Sequence, residues 1–138
     1  MFTKNKAIMV GDVMIGLNDA PKIAKQTLLK EALEIMDEKK LGIVCIVDDD
    51  SQLEGIITDG DIRRMLIKVQ KPMAALMSDD VIDHAIINPT TVNMDTDLVE
   101  AVSIMGNKQI WDLPVVDDNN ILKGLLHLHP AIKSMMEA

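Results

Sequence analysis

Residues 30–57, KEALEIMDEKKLGIVCIVDDDSQLEGII, lie without a gap over residues 99–126, VEAVSIMGNKQIWDLPVVDDNNILKGLL, once the chain is shifted by 69 positions (99 against 30). Glu31, Ala32, Ile35, Met36, Lys39, Val47, Asp48, Asp49, Leu53 and Gly55 then meet Glu100, Ala101, Ile104, Met105, Lys108, Val116, Asp117, Asp118, Leu122 and Gly124. Two copies of one unit are present, covering residues 1–70 and 71–138, and self-similarity at a fixed period decides the architecture before any local reading does. A unit of about 60 residues has little core of its own, so the two copies are expected to bury their open sheet faces against each other.

Within each copy the periodicity changes in the same order. Leu28, Leu29, Ala32, Leu33 and Met36 recur at helical spacing, as do Leu98, Ala101, Val102 and Met105, with Gln26-Thr27 and Asp95-Thr96-Asp97 placed to cap the starts. Short apolar runs follow at 43–47 and 113–116, then an acidic turn, then second apolar runs at 53–57 and 121–126, then another helix. Proline biases its neighbours toward extended backbone, so Pro21–Ala24 and Pro89–Val92 are expected as short strands ahead of the first helices. The result is a β-α-β-β-α module, repeated, with residues 68–80 as a connector holding a turn of helix. The acidic turns Asp48-Asp49-Asp50-Ser51 and Asp117-Asp118-Asn119-Asn120 lack the alternating carboxylates and distant glutamate of a calcium loop, and read as hairpin turns.

Composition narrows the function classes. The chain has 138 residues, 48 % of them hydrophobic and 26 % charged, which is a globular balance. With one Phe, one Trp and no Tyr it has no stacking platform for a strand of bases, and its net charge of −8 opposes a polyanion or an anionic membrane. Nucleic-acid and membrane partners are therefore not expected. The single cysteine, Cys45, lies in an apolar run and reads as a buried structural thiol. No run approaches the roughly 20 apolar residues of a membrane helix, and the opening MFTKNKAIMV has no signal-peptide core, so a cytoplasmic location is the expectation.

The polar chemistry concentrates at Gly55-Ile56-Ile57-Thr58-Asp59-Gly60-Asp61-Ile62-Arg63-Arg64. Here a strand passes into a helix that continues through Ile62, Met65, Leu66 and Val69, which puts Thr58 at the N-cap. Its hydroxyl and the free N–H groups of the first turn suit a phosphate, while Asp61 suits the vicinal hydroxyls of a ribose. A nucleotide satisfies both at once. The same residues also read as a plain T-x-x-D helix cap with Arg63 and Arg64 on the solvated side. In the second copy Thr58 meets His127 and Asp61 meets Pro130, so one competent site is expected, with the second copy degenerate.

The tandem repeat with this motif resembles a pair of cystathionine-β-synthase (CBS) domains, the regulatory Bateman module. The resemblance rests on Ile46-Val47-Asp48, on Leu113-Pro114-Val115-Val116-Asp117, and on Gly55-Ile56-Ile57-Thr58-Asp59-Gly60-Asp61, and it covers about residues 10–136. It implies an α/β (α+β) fold of two β-α-β-β-α repeats, packed sheet to sheet with pseudo-twofold symmetry, binding a nucleotide in the cleft between them. More narrowly, Val10-Gly11-Asp12-Val13-Met14, Thr58–Arg64, Asn88-Pro89-Thr90-Thr91 and Leu113–Asp117 with Gly124–His129 are similar to the regulatory half of arabinose-5-phosphate isomerases. That likeness implies a non-catalytic regulatory part of a sugar-phosphate isomerase, without a cofactor, whose effector is CMP-activated octulosonate or an adenine nucleotide. It also implies a homodimer through the CBS pair, inside a parent enzyme that is a tetramer. The same TDGDIRR piece occurs in CBS pairs of sugar nucleotidyltransferases. The ligand-binding set drawn from the motif and the resemblance is Thr58, Asp59, Asp61, Arg63, Arg64, Thr91, His127 and His129.

Rival chemistries use the same residues. His127 and His129 sit two apart on a strand end, as a metal pair or as contacts to a ligand anion, but no cysteine or carboxylate accompanies them at ligand spacing. Trp111, which replaces Gly42 of the first copy, reads as a base-stacking ring or an interface residue. Asp59-Gly60-Asp61 after an apolar strand also resembles the D-x-D tip of a haloacid-dehalogenase-like phosphatase, yet the duplication leaves no room for that enzyme's larger sheet and downstream lysine. A final alternative is a pair that binds nothing and serves only in assembly.

Overall fold

The computed structural model describes residues 7–137, so the first six residues of the MFTKNKAIMV opening lie outside the described part. Contacts divide the chain into two units. The first unit is Pro21–Pro89; the second joins the chain up to Ala20 with the chain from Thr90 onward. The first unit contains β2 (Lys22–Ile23), α2 (Leu29–Lys39), β3 (Ile43–Val47), β4 (Leu53–Thr58), α3 (Asp59–Lys68), α4 (Met73–Met77) and a 3-10 turn, Val81–His84. The second unit contains α1 (Val10–Val13) and β1 (Ile15–Gly16), then α5 (Leu98–Lys108), β5 (Asp112–Val116), β6 (Leu122–His127) and α6 (Leu128–Glu137).

Each unit is a three-stranded sheet, ordered β2-β3-β4 in the first and β1-β6-β5 in the second. The hairpins are antiparallel and in matching register, with Ile46 opposite Gly55 and Val115 opposite Gly124. β2 runs parallel to β3, placing Ile23 beside Ile46, whereas the second unit's counterpart is a single bridge of Val92 to Val115. The extended pieces expected at 21–24 and 89–92 therefore form, the second over one residue pair only.

These units cut across the 1–70 and 71–138 copies, and the hydrogen bonds say why. In the second unit the N–H groups of Val10, Gly11 and Leu98 donate to the carbonyls of Thr96, Met94 and Ile8 at 2.9, 2.9 and 2.8 Å. In the first unit Val81, Ile82 and Leu29 donate to Thr27, Lys25 and Asp79 at 2.8, 3.3 and 2.9 Å. The two sets correspond position for position. Hence the segment that directly follows the connector expected at 68–80 is a second copy of the leading arm, Val81-Ile82-Asp83 matching Val10-Gly11-Asp12 at a spacing of 71 instead of 69. Each arm packs on the hairpin of the other copy. The arms also cover the sheet edges: β1 pairs Gly16 with Gly124, and Ile86 exchanges both hydrogen bonds with Ile56 at 2.8 and 3.0 Å.

The arms correct one expectation about helix starts. Asp97 does cap α5, its carboxylate accepting from the N–H of Val99 at 3.0 Å. Gln26-Thr27 do not cap α2, which begins at Leu29 behind Leu28 with no side-chain cap. The Asp79 carbonyl takes the N–H of Leu29 instead. Asp79 is itself anchored, with Lys71 Nζ 2.8 Å from one carboxylate oxygen and His84 Nε2 2.7 Å from the other. Those two hydrogen bonds, that of Lys71 first, hold its carboxyl below the usual carboxylate range.

The acidic turns fold on their own backbone. Asp48 Oδ1 accepts from the N–H groups of Asp50 and Gln52, each at 2.9 Å, and Asp117 Oδ1 accepts from those of Asn119 and Ile121, each at 2.9 Å. Bonding to the Ile121 N–H above all holds the Asp117 carboxyl below its ordinary range. Ser51 and Asn120 complete the turns at φ 65° and 63°, the left-handed region that short polar residues reach most readily.

Each unit has a core under its own sheet. Leu29, Ala32, Val44, Ile46, Ile57 and Leu76 build the first, and Val10, Leu98, Ala101, Leu113, Val115 and Leu126 the second. Leu29 and Leu98, 69 residues apart, are both fully buried, and truncating either to alanine would cost about 2–5 kcal/mol. Cys45 is buried and in no disulfide, as its apolar surroundings suggested.

Two glycines let the arms approach. A Cβ on Gly55 would stand 2.8 Å from the Ile86 carbonyl oxygen, and one on Gly124 would run into that of Ile15. Backbone cannot step aside as a side-chain tip can, so Gly124→Ala is expected to lower stability by about 1–3 kcal/mol. Urea unfolding measures it, together with faster amide exchange at Ile15–Gly16. An unchanged midpoint and unchanged exchange would contradict this account of the edge.

Candidate functional site

β4 passes into α3 without a loop, and Thr58 is both the last strand residue and the N-cap, with extended backbone at φ −119° and ψ 162°. Its hydroxyl oxygen accepts from the Asp61 N–H at 3.1 Å. In return Asp61 Oδ2 accepts from the Thr58 N–H at 3.0 Å and from the Thr58 hydroxyl at 2.9 Å. This reciprocal capping box satisfies two donors that the strand and the helix would otherwise leave bare. The other oxygen, Asp61 Oδ1, takes an Arg64 guanidinium N–H at 2.8 Å. Asp61 is 12 % exposed and Arg64 53 %, so the acid is held inside and the base reaches in from solvent.

The free first-turn N–H groups expected from the sequence are fewer than supposed. That of Asp59 donates to the Gly42 carbonyl at 2.9 Å, and that of Asp61 is used by the cap. Among the described residues only Gly60 in this turn keeps an N–H without a partner. The Asp59 carboxylate, otherwise exposed, lies against Gly42, where an added Cβ would stand 2.6 Å from Asp59 Oδ2. The Arg64 guanidinium lies across Gly60, whose added Cβ would be 3.2 Å from Nη2.

Sixty-nine residues on, the second unit keeps the backbone of this junction and changes its side chains. The Leu128 N–H donates to the Trp111 carbonyl at 2.9 Å, the counterpart of the bond from Asp59 to Gly42. His127 stands where Thr58 does, and Pro130, in place of Asp61, has neither N–H nor carboxylate for a capping box. His127 Nδ1 instead lies 2.8 Å from Asp112 Oδ1, directly across the hairpin. The rings of His127 and His129 stack with centroids 5.2 Å apart, and His129 stacks in turn on Trp111 at 5.6 Å. Trp111, 60 % exposed, also walls a shallow apolar groove of about 410 Å³ with Met105, Ile110 and Leu128.

Thr58, Asp59, Asp61 and Arg64 thus gather at one strand–helix junction, and His127 and His129 at its counterpart. Arg63 is exposed, outside that network, and no hydrogen bond links Thr91 to either cluster among the described residues. Among these residues, too, no group of three His, Cys, Asp or Glu is placed to hold a metal ion. Asp112 was missed because it aligns with Ile43, although an acid opposite a histidine in antiparallel register is a favourable cross-strand pair.

The comparisons with known proteins agree with this duplicated architecture. The CBS domain family matches twice, over residues 10–68 and 74–129. The chain belongs to the CBS-domain family. As a CBS pair it overlays the CBS-pair protein CBSX2 of Arabidopsis thaliana with a TM-score of 0.83 at 25 % identity, covering 96 % of each chain. A crystal structure of CBSX2 in complex with AMP gives a TM-score of 0.82 at 26 % identity over 94 % of this chain and 96 % of that one. In sequence, an uncharacterized protein of Helicobacter pylori strain J99 is 35 % identical over 98 % of this chain and 40 % of its own length. The arabinose 5-phosphate isomerase KdsD of Escherichia coli strain K12 is 29 % identical over 92 % of this chain and 37 % of its length. The CBS pair therefore spans about 40 % or less of these curated relatives. No helix among the described residues is long and apolar enough to cross a membrane.

Removing the cap hydroxyl tests the junction. Thr58→Ala is expected to cost about 0.5–2 kcal/mol of stability by urea unfolding, because the Asp61 N–H loses its acceptor and Asp61 Oδ2 loses one of its two donors. A change below about 0.3 kcal/mol, within the error of such measurements, would contradict the bonding described.

Proposed function

We propose that this CBS pair is a non-catalytic regulatory module that binds a ribonucleotide at the Thr58–Asp61 junction and adjusts a sugar-phosphate isomerase of the arabinose-5-phosphate kind. The observation that carries the reading is the first unit's junction: a mostly buried carboxylate next to a cap hydroxyl and an unpartnered helix N–H, with a guanidinium alongside. A carboxylate accepts from the two hydroxyls of a ribose, and the helix N–H and the guanidinium donate to a phosphate, while the Thr58 hydroxyl stays on Asp61 Oδ2. The counterpart with His127 and Pro130 offers neither. Support for a nucleotide comes from the likeness to CBSX2, crystallised with AMP, and support for the parent enzyme from the likeness to KdsD. The effector is an adenine nucleotide or a CMP-sugar such as CMP-activated octulosonate, and the setting is the cytoplasm, where such compounds and sugar phosphates occur together. Binding would act by favouring one of two arrangements of the parent enzyme through differential affinity.

A second reading is favoured by one observation: both Asp61 oxygens are already engaged, which is what a helix cap alone requires. The pair would then serve only in assembly. Melting curves separate the two. AMP, CMP or a CMP-sugar at about 100 times its dissociation constant should stabilise the chain by about 2.7 kcal/mol and raise its melting temperature accordingly. Asp61→Ala should abolish that ligand-dependent rise whatever it does to the starting value. No rise with any of these nucleotides would leave the assembly-only reading standing. The proposal also includes association of two chains through the CBS pair. Light scattering on the same samples should give twice the chain mass of 15.2 kDa, and a monomer at all concentrations would count against it.

A further inference from the structure

We infer that the Asp61–Arg64 ion pair is a latch that makes the Thr58–Asp61 site select nucleotides carrying a phosphate anion over the corresponding nucleosides. The inference rests on the nucleotide reading above. Asp61 Oδ2 already accepts two hydrogen bonds from Thr58, so the oxygen with room for a ribose is Oδ1, and Arg64 holds it at 2.8 Å. A ribose diol that takes Oδ1 must displace the guanidinium.

The two partners fare differently when they separate. Asp61, 12 % exposed, needs replacement donors, and ribose hydroxyls supply them. Arg64 needs an anion to regain a charge-assisted bond, and only a phosphorylated ligand brings one. A nucleoside thus breaks the pair and repairs half of it, whereas a nucleotide repairs both halves. The guanidinium has a short way to go. It already lies across Gly60, the residue whose N–H is unpartnered, at the start of the ten-residue helix α3. A side chain at Gly60 would crowd it, an added Cβ standing 3.3 and 3.2 Å from Nη1 and Nη2, close enough to shift the guanidinium by a few tenths of an ångström. The second unit has His129 and Lys133 in these places, and Pro130 in place of Asp61.

Isothermal titration of the whole chain with AMP and with adenosine tests this, using the wild type, Arg64→Gln, Gly60→Ala and, as a charge-matched control on the exposed last turn of α3, Lys68→Gln. The wild type should bind AMP at least about tenfold more tightly than adenosine. In Arg64→Gln the preference should fall to within about threefold, and adenosine should bind more tightly than it does to the wild type, because nothing has to be displaced. Gly60→Ala, which crowds the guanidinium, should move the ratio the same way by a smaller factor, and Lys68→Gln should leave it unchanged. Wild-type binding of AMP with an unaltered ratio in both Arg64→Gln and Gly60→Ala would overturn the latch and leave the nucleotide reading intact. Absence of AMP and CMP binding by the wild type at millimolar concentration would overturn both.

Discussion

A strand that becomes a helix with no loop between has to satisfy, within three residues, donors that neither element bonds by itself. At Thr58–Asp61 the chain meets that demand with its own side chains and the Gly42 carbonyl for every donor but the Gly60 N–H. The arrangement is local in sequence, so it needs no long-range partner to form, and it concentrates a carboxylate, a hydroxyl and a guanidinium on one turn. Stability and chemistry at this point have the same origin. In the binding proposed, a ligand leaves the cap bonds in place and exchanges with Arg64 at Asp61 Oδ1, which favours ligands that donate to a carboxylate and accept from an N–H.

Of the two strand–helix junctions that the duplication provides among the described residues, only the first carries this box. Both copies keep the backbone bond that closes the junction, from Asp59 to Gly42 and from Leu128 to Trp111. The closure of both junctions rests on backbone, which leaves their side chains unconstrained by it, and with His127 and Pro130 in place of Thr58 and Asp61 the second has no box. Asp112, His127, His129 and Trp111 satisfy the polar tip by cross-strand pairing and ring stacking instead. The exchange of arms has a comparable logic. Each hairpin lacks an edge and a first-turn acceptor, and the arm of the other copy supplies both.

The parts of this architecture that were legible are those encoded by residues near one another. The gapless repeat placed α2, α5 and both hairpins, and strand β3 coincides with the apolar run at 43–47. Thr58 and Asp61 could be read as a cap because capping chemistry is set by a three-residue spacing. The arms were not legible: Val10-Gly11-Asp12 and Val81-Ile82-Asp83 share two short signals at a different offset, and nothing local says which hairpin an arm joins. Gln26-Thr27 misled for the same reason, since the group that serves the start of α2 is a carbonyl some fifty residues away, at Asp79 (79 against 29). The plain-cap reading puts Arg64 on the solvated side, and its guanidinium does reach in from solvent. What was overlooked is that three residues is also the reach of a side-chain pair on one helix face, here back to Asp61.

The account therefore turns on one carboxylate shared between a helix cap and a ligand. Crystals of the chain grown with AMP test that most directly. The account expects the ribose hydroxyls on Asp61 Oδ1, the cap bonds between Thr58 and Asp61 Oδ2 retained, and the Arg64 guanidinium moved to the phosphate beside the Gly60 N–H. A nucleotide bound elsewhere, with Asp61 still closed on Arg64, would contradict it.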